Sequence, residues 1–275
     1  MRRNFGLDRP LPEQYVAWLQ SFVTGDFGFS FSRFRPVGEV LSEAIPNTLW
    51  LGGASLIVVF AVGCAVGIVQ SVRQYSKTDH ALTFATLFLY SVPTFWLGVM
   101  LVLWASSPVW PDALQLPVSG MQSLDYDRLG LWGRLADRAR HLVLPTIALG
   151  LSSAAAVARY MRGSMLETID EDYIRTARAK GLGEGRVVFG HALRNALIPI
   201  VSLVGLFLPI LFGGAVVVEK IFAWPGMGMV MYEAVSARDY PLVMAGAFLF
   251  AGLVIVGNLF ADLLYAVVDP RIRTR

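Results

Sequence analysis

Residues 172–199 read DYIRTARAKGLGEGRVVFGHALRNALIP, a basic, glycine-broken stretch set between two apolar runs. Glu171 and Asp172 stand where carboxylates suit the positive end of a helix, and Ile174, Ala177 and Gly181 recur at helical spacing. Gly181, Gly183 and Gly185 break that helix. Beyond them Phe189, Ala192, Leu193 and Ala196 share a second face, until Pro199 opens the next apolar run. The pattern predicts a helix–turn–helix elbow over 159–195, whose two short apolar faces need a partner surface.

What flanks the elbow is a chain made for lipid. Of 275 residues, 55% are hydrophobic and only 16% charged, against about a quarter charged in soluble domains. Mean hydropathy is +0.57. The runs Pro46–Val69, Leu82–Ala105 and Leu242–Val268 are each long enough to cross a ~30 Å hydrocarbon core, and Leu142–Ala158 and Ala196–Val218 come close. An all-α polytopic membrane protein with about five transmembrane helices follows. Pro93 and Pro209 fall inside runs and predict kinks. Gly52-Gly53, Gly63 to Gly67 and Ala154-Ala155-Ala156 predict close helix packing.

Arg159, Arg162, Arg175, Arg178, Lys180, Arg186 and Arg194 lie between the third and fourth runs, whereas only Lys220 and Arg238 lie between the fourth and fifth. The positive-inside bias therefore places the elbow in the cytoplasm, together with the QSVRQYSKTD turn and the DPRIRTR tail. The expected domains are an extracytoplasmic segment 1–45, a transmembrane domain 46–268 with an extracytoplasmic loop 219–240, and a cytoplasmic tail 269–275. Arg2, Arg3, Arg9, Arg33 and Arg35 in the first segment conflict with that bias, which leaves two expectations, a further span upstream of residue 1 or translocation of this short tail by its neighbours.

Chemistry is sparse. No GxxxxGK[ST] loop is present to hold nucleotide phosphates, and Gly181 to Gly185 follows a helix rather than a strand. No Ser/His pairing, paired aspartates or HExxH occurs in the runs, so no catalytic residues are expected. Cys64 is the single cysteine, and His80, His141 and His191 fall in separate segments, so no metal site is expected either. The basic residues follow the apolar runs rather than exposed aromatics, which argues against nucleic acid. Asn258 and Asp262 share a face of the last run, with a structural role favoured.

At the elbow the chain resembles the inner-membrane permease subunits of binding-protein-dependent ABC importers, whose cytoplasmic loop reads Glu-Ala-Ala, three residues, Gly, nine residues, Ile-x-Leu-Pro. Ala177, Gly181 and Leu193 match. Arg175, Thr176, His191 and Arg194 depart from the general pattern toward the dipeptide/oligopeptide/nickel (DppB/OppB-like) branch. GDFG at 25–28, IPNTLWL at 45–51, YSVPTFWLG at 90–98, GGAVVVEKIFAWPGMGMV at 213–230, ARDYPLV at 237–243 and DLLYAVVDPRIR at 262–273 extend the likeness over nearly the whole chain.

The resemblance implies a type I ABC importer permease fold in a bacterial inner membrane, preceded in the family by a further helix. It implies half of a translocation pathway for peptides or a similar small solute. The implied partners are a second homologous permease, two ATPase subunits and an extracytoplasmic solute-binding protein, with ATP and Mg held by the ATPases and no cofactor in this chain. ATPase coupling then falls to Ala177, Gly181, Leu182, Arg186, His191, Leu193, Arg194 and Asn195. Arg186 and Arg194 also suit the ordinary positive-inside role. The extracytoplasmic mouth falls to Trp224, Pro225, Gly226 and Gly228, a position that equally suits an interfacial anchor and turn. Two other readings compete: an ion-coupled secondary transporter, which needs coupling residues near the midplane, and a membrane assembly subunit that transports nothing.

Overall fold

The computed structural model describes residues 10–109, 111 and 115–268, without the side chains of 208–214, 260–262 and 264–268. The helices are α1 (Leu11–Val23), α2 (Val37–Val72), α3 (Lys77–Ser91), α4 (Thr94–Ala105), α5 (Leu131–Ile169), α6 (Asp172–Ala179), the single turn α7 (Glu184–Arg186), α8 (Leu193–Ile221), α9 (Met227–Ser236) and α10 (Tyr240–Val268). Four helical stretches among the described residues are long and apolar enough to cross a membrane, and α3 with α4 makes a fifth if that bent pair is one span.

Two helices outrun their apolar cores. α2 starts at Val37 rather than Pro46, absorbing Pro46 into its length, so the expected boundary after residue 45 falls inside a helix. α5 runs from Leu131 to Ile169 instead of Leu142–Ala158, which carries Arg134, Arg138 and Arg140 at one end and the first part of the expected elbow at the other. Hydropathy detects the stretch that matches lipid, whereas the helix continues as long as its hydrogen bonds find partners.

The expected kink at Pro93 is a full break: α3 and α4 meet at 103°. Proline disfavours helical backbone in the residue before it, and Val92 is extended (φ −78°, ψ 125°). Pro93 then caps α4, its carbonyl accepting from Leu97 N–H at 3.0 Å. Pro209 lies in α8, among the residues whose side chains are not described. Asn258 is exposed on α10, while the side chain of Asp262 and the whole of 269–275 lie outside the described residues.

α2 and α5 form the tightest contact. A Cβ on Gly63 would stand 2.7 Å from Val157 Cβ and 2.8 Å from the Ala154 carbonyl oxygen; one on Gly67 would stand 2.6 Å from both the Ala158 carbonyl oxygen and Met161 Cβ. The predicted small-residue packing is therefore present at Gly63, Gly67 and Ala154, backbone against backbone, with Val157, Ala158 and Met161 buried beneath it, whereas Gly53 is exposed and takes no part.

Gly67→Ala is expected to destabilise the protein by about 1–3 kcal/mol, because the added methyl meets backbone that has no room to yield. Gly53→Ala, where an added Cβ meets nothing within 4 Å, should change little. Thermal unfolding of the two variants in one detergent checks the contrast.

Candidate functional site

The elbow is built as a capped helix, a glycine turn and an inserted residue. α6 ends in a Schellman motif: Gly181 N–H donates to the Arg178 carbonyl at 2.9 Å and Leu182 N–H to that of Ala177 at 3.4 Å. The motif needs a left-handed residue, and Gly181 supplies it with φ +78°. A Cβ there would meet nothing within 4 Å, so conformation rather than crowding inside the chain calls for glycine. Gly183 then accepts from Arg186 and Val187, and Arg178 Nε donates to Glu184 across the turn at 2.8 Å.

Val187–Ala192 forms a π-turn ahead of α8. The wider turn moves Phe189 off the predicted face: it is 64% exposed, while Val187, Val188, Ala192 and Ala196 are buried. The apolar faces expected to await a partner are met by the protein itself. Ile174, Ala177, Val187, Val188 and Ala192 share one core with Met161 and Met165 of α5 and Ala196 and Ile200 of α8. Ser164 Oγ also donates to the Ala196 carbonyl (2.9 Å), and Asn195 Nδ2 to Tyr173 Oη (2.7 Å).

Of the coupling residues read from sequence, Ala177 is buried, Leu182 and Leu193 are half-buried, and Gly181, Arg186, His191, Arg194 and Asn195 are exposed. The outer face is therefore charged, with Arg186, His191 and Arg194 beside the exposed acidic Asp172 and Glu184, and Phe189 and Tyr173 are its exposed large hydrophobics. Beside it a cleft of about 500 Å³ opens between α5 and α8, lined by Arg159, Tyr160, Ser164, Glu167 and Pro199.

An ion pair that sequence reading missed ties this end together. Arg162 of α5 donates to the buried Asp79 of α3 through Nη2 (2.9 Å) and Nε (3.2 Å). Asp79 also accepts from Tyr75 N–H at 3.0 Å, fixing the α2–α3 turn, and Arg159 lies 4.2 Å over the Tyr90 ring. The pair spans 83 positions of sequence, so nothing local announces it.

At the opposite end of α2 the mouth predicted at Trp224 to Gly228 is a buried latch. Trp224 is 1% exposed, and its Nε1 donates to the Asn47 carbonyl at 2.9 Å, while Asn47 Nδ2 returns a bond to Pro225 O at 2.8 Å. Glu219 is fully buried, accepting from Thr48 Oγ1 (2.8 Å) and Met229 N–H (2.9 Å), and Thr48 Oγ1 accepts from Met227 N–H (2.7 Å). A Cβ on Gly226 would lie 2.3 Å from Glu219 Oε1, and one on Gly228 2.9 Å from Oε2; the glycines make room for the carboxylate. Of the four predicted mouth residues only Pro225 is exposed, so neither a docking aromatic nor an interfacial anchor describes Trp224.

The surface at this end is instead a cleft of about 360 Å³ lined by Arg33, Arg35, Glu43, Asn47, Pro225 and Glu233 among others. Arg33 pairs with Glu233, and Arg35 Nη2 with Glu43 at 2.6 Å. Asp239 anchors its rim. It accepts from Ser30 Oγ (2.5 Å), Ser32 Oγ (2.7 Å) and Ser32 N–H (2.9 Å), joining the GDFGFSFS stretch to the start of α10. Burial pushes the Asp239 carboxyl up, but these donors outweigh it and bring it down to about 2.

Two outcomes follow from these carboxylates. Removing Arg162 from the buried Asp79, in Arg162→Met, is expected to cost about 1–3 kcal/mol, and Asp79→Leu less, because Arg162 is part-exposed and can turn to solvent; the double variant should cost less than Arg162→Met alone, which a double-mutant cycle on thermal midpoints measures. Asp239, depressed from 3.8 to about 2, contributes about 2 kcal/mol that is complete above pH ~5 and fades as pH falls through 4 toward 2. The stability gap between the protein and Asp239→Asn should close over that window in detergent unfolding at graded pH.

Comparison with known proteins gives the family and the fold. The family described as "Binding-protein-dependent transport system inner membrane component" matches residues 54–274. The oligopeptide transport system permease protein AppB of Bacillus subtilis is 42% identical over 271 residues, covering 98% of this chain and 83% of AppB. The dipeptide transport system permease protein DppB of Escherichia coli K12 is 41% identical, with the same coverages. Among solved structures, the inward-facing MetNI methionine ABC transporter is similar with a TM-score of 0.64 and 18% identity, over 84% of this chain and 96% of that one, a likeness of fold. The chain belongs to the family of binding-protein-dependent transport system inner membrane components.

Proposed function

We propose that this chain is one permease subunit of an importer that takes up dipeptides, oligopeptides or a chemically similar small solute. The elbow carries the reading: its inner face is continuous with the cores of α5 and α8, and its outer face is charged and open. An element seated on that outer face moves two long helices together, which is what converting a partner's closure into helix rocking requires. The solute class rests on the peptide systems named for the two relatives.

In this reading two ATPase subunits holding ATP and Mg dock on the elbows of this chain and a second homologous permease, in the cytoplasm of a bacterial inner membrane. An extracytoplasmic binding protein delivers solute on the other side. The mixed-charge cleft of Arg33, Arg35, Glu43 and Glu233 is the surface it meets, in place of Trp224.

Gly181→Trp is expected to leave membrane insertion intact while peptide uptake falls at least about tenfold and ATP hydrolysis no longer responds to loaded binding protein. Gly181→Asn, which tolerates φ +78°, should keep most uptake. Transport assays and co-purification with the ATPases check both, and undiminished uptake by Gly181→Trp removes the elbow as the docking site.

A further inference from the structure

α1 has three faces. Trp18 and Phe22, one turn apart, face the protein: their rings lie 4.3 Å apart, and Phe22 meets Phe27 and Phe248 edge-on at 5.3 and 5.5 Å. Leu11, Tyr15, Leu19, Val23 and Val16 run from the side of Trp18 and Phe22 round one flank of the helix, within about 140° at ~100° per residue, and all are exposed. Glu13, Ala17 and Gln20 occupy the next arc round, also exposed. Both arcs run the length of the helix, so one boundary between apolar and polar surroundings satisfies them only if it runs along the helix axis.

The packing of Phe22 on Phe248 places α1 beside the first part of the last span. α10 runs from Tyr240 to Val268, and Phe248 stands ~12 Å along it from Tyr240 and ~30 Å from Val268 at ~1.5 Å per residue. Asp239 precedes the helix, and Asp269 and Arg271 follow it in sequence. The Phe22–Phe248 contact therefore sits in the part of the span nearer Tyr240, and the exposed arc of α1 lies beside the exposed flank of α10 that carries Phe248, Ile255 and Leu259.

From this juxtaposition we infer that α1 is an interfacial anchor lying in the plane of the bilayer surface, with Leu11, Tyr15, Val16, Leu19 and Val23 among phospholipid acyl chains and Glu13 and Gln20 toward the headgroups. The inference rests on the membrane-permease reading above. It gives the N-terminal segment a second role, since besides reaching Asp239 through Ser30 and Ser32 the segment holds the rim of the charged cleft at a set height above the lipid.

Spin labels placed one at a time at Leu19→Cys, Ala17→Cys and Ile255→Cys, in a Cys64→Ser background of the assembled transporter, test it in nanodiscs of phosphatidylethanolamine and phosphatidylglycerol. Collision with oxygen reports lipid, and collision with water-soluble chromium oxalate reports solvent. The oxygen-to-chromium ratio is expected to be several-fold higher at 19 than at 17 and highest at 255. A label at 19 that meets chromium freely, or neither reagent because protein covers it, overturns the inference while 255 still reads as lipid. If 255 also reads as water, the membrane reading falls and the anchor with it.

Discussion

The backbone of α2 lies against that of α5 at Gly63 and Gly67, and the rest of the arrangement hangs on that approach. Lipid tails are as apolar as leucine, so apolar side chains gain little by leaving them for one another; close contact over many atoms has to hold the helices. With α5 fixed to α2, Arg162 comes within reach of Asp79 on the helix after α2, and Met161 and Met165 present the floor on which the elbow rests. A side chain at Gly67 would lift α5 and the elbow floor together.

The two ends are held by different chemistry. At the elbow, apolar packing dominates, joined by one two-pronged ion pair between α3 and α5. At the other end, carboxylates without a cationic partner at hydrogen-bond distance are held by hydroxyls and amides: Glu219 by Thr48 and Met229, Asp239 by Ser30 and Ser32. Such bonds have narrow geometry, which suits a surface that must keep its shape, while the smooth contacts of the elbow suit helices that tilt as a body.

The five apolar runs, the small-residue packing and the glycine turn of the elbow were all legible in the sequence, because each has a local signature: hydropathy, GxxxG spacing, a helix that stops at Gly181. Helix ends at Val37, Leu131 and Ile169 were not, since hydropathy marks the lipid slab and not the helix. Phe189 turned outward because a π-turn adds a residue that a 3.6-residue period cannot foresee. Trp224 looked like a surface aromatic only while its partner, the Asn47 carbonyl, lay 177 positions away. Separations of 171 and 209 positions hid Thr48 from Glu219 and Ser30 from Asp239.

Those separations bear on how the chain is made. Ser30 waits for a partner 209 positions downstream, and Thr48 for one 171 positions on. At roughly 5–20 residues per second, synthesis takes about 10–40 s to supply the Asp239 that Ser30 lacks. Throughout that interval Ser30, between α1 and α2, stands without the carboxylate that joins it to the α9–α10 turn, and for most of it Thr48 of α2 lacks the one that joins it to α8. Closing the latch therefore requires that nearly the entire chain has been made and threaded in the right order, and an interrupted or misthreaded chain leaves Thr48 and Ser30 unmatched.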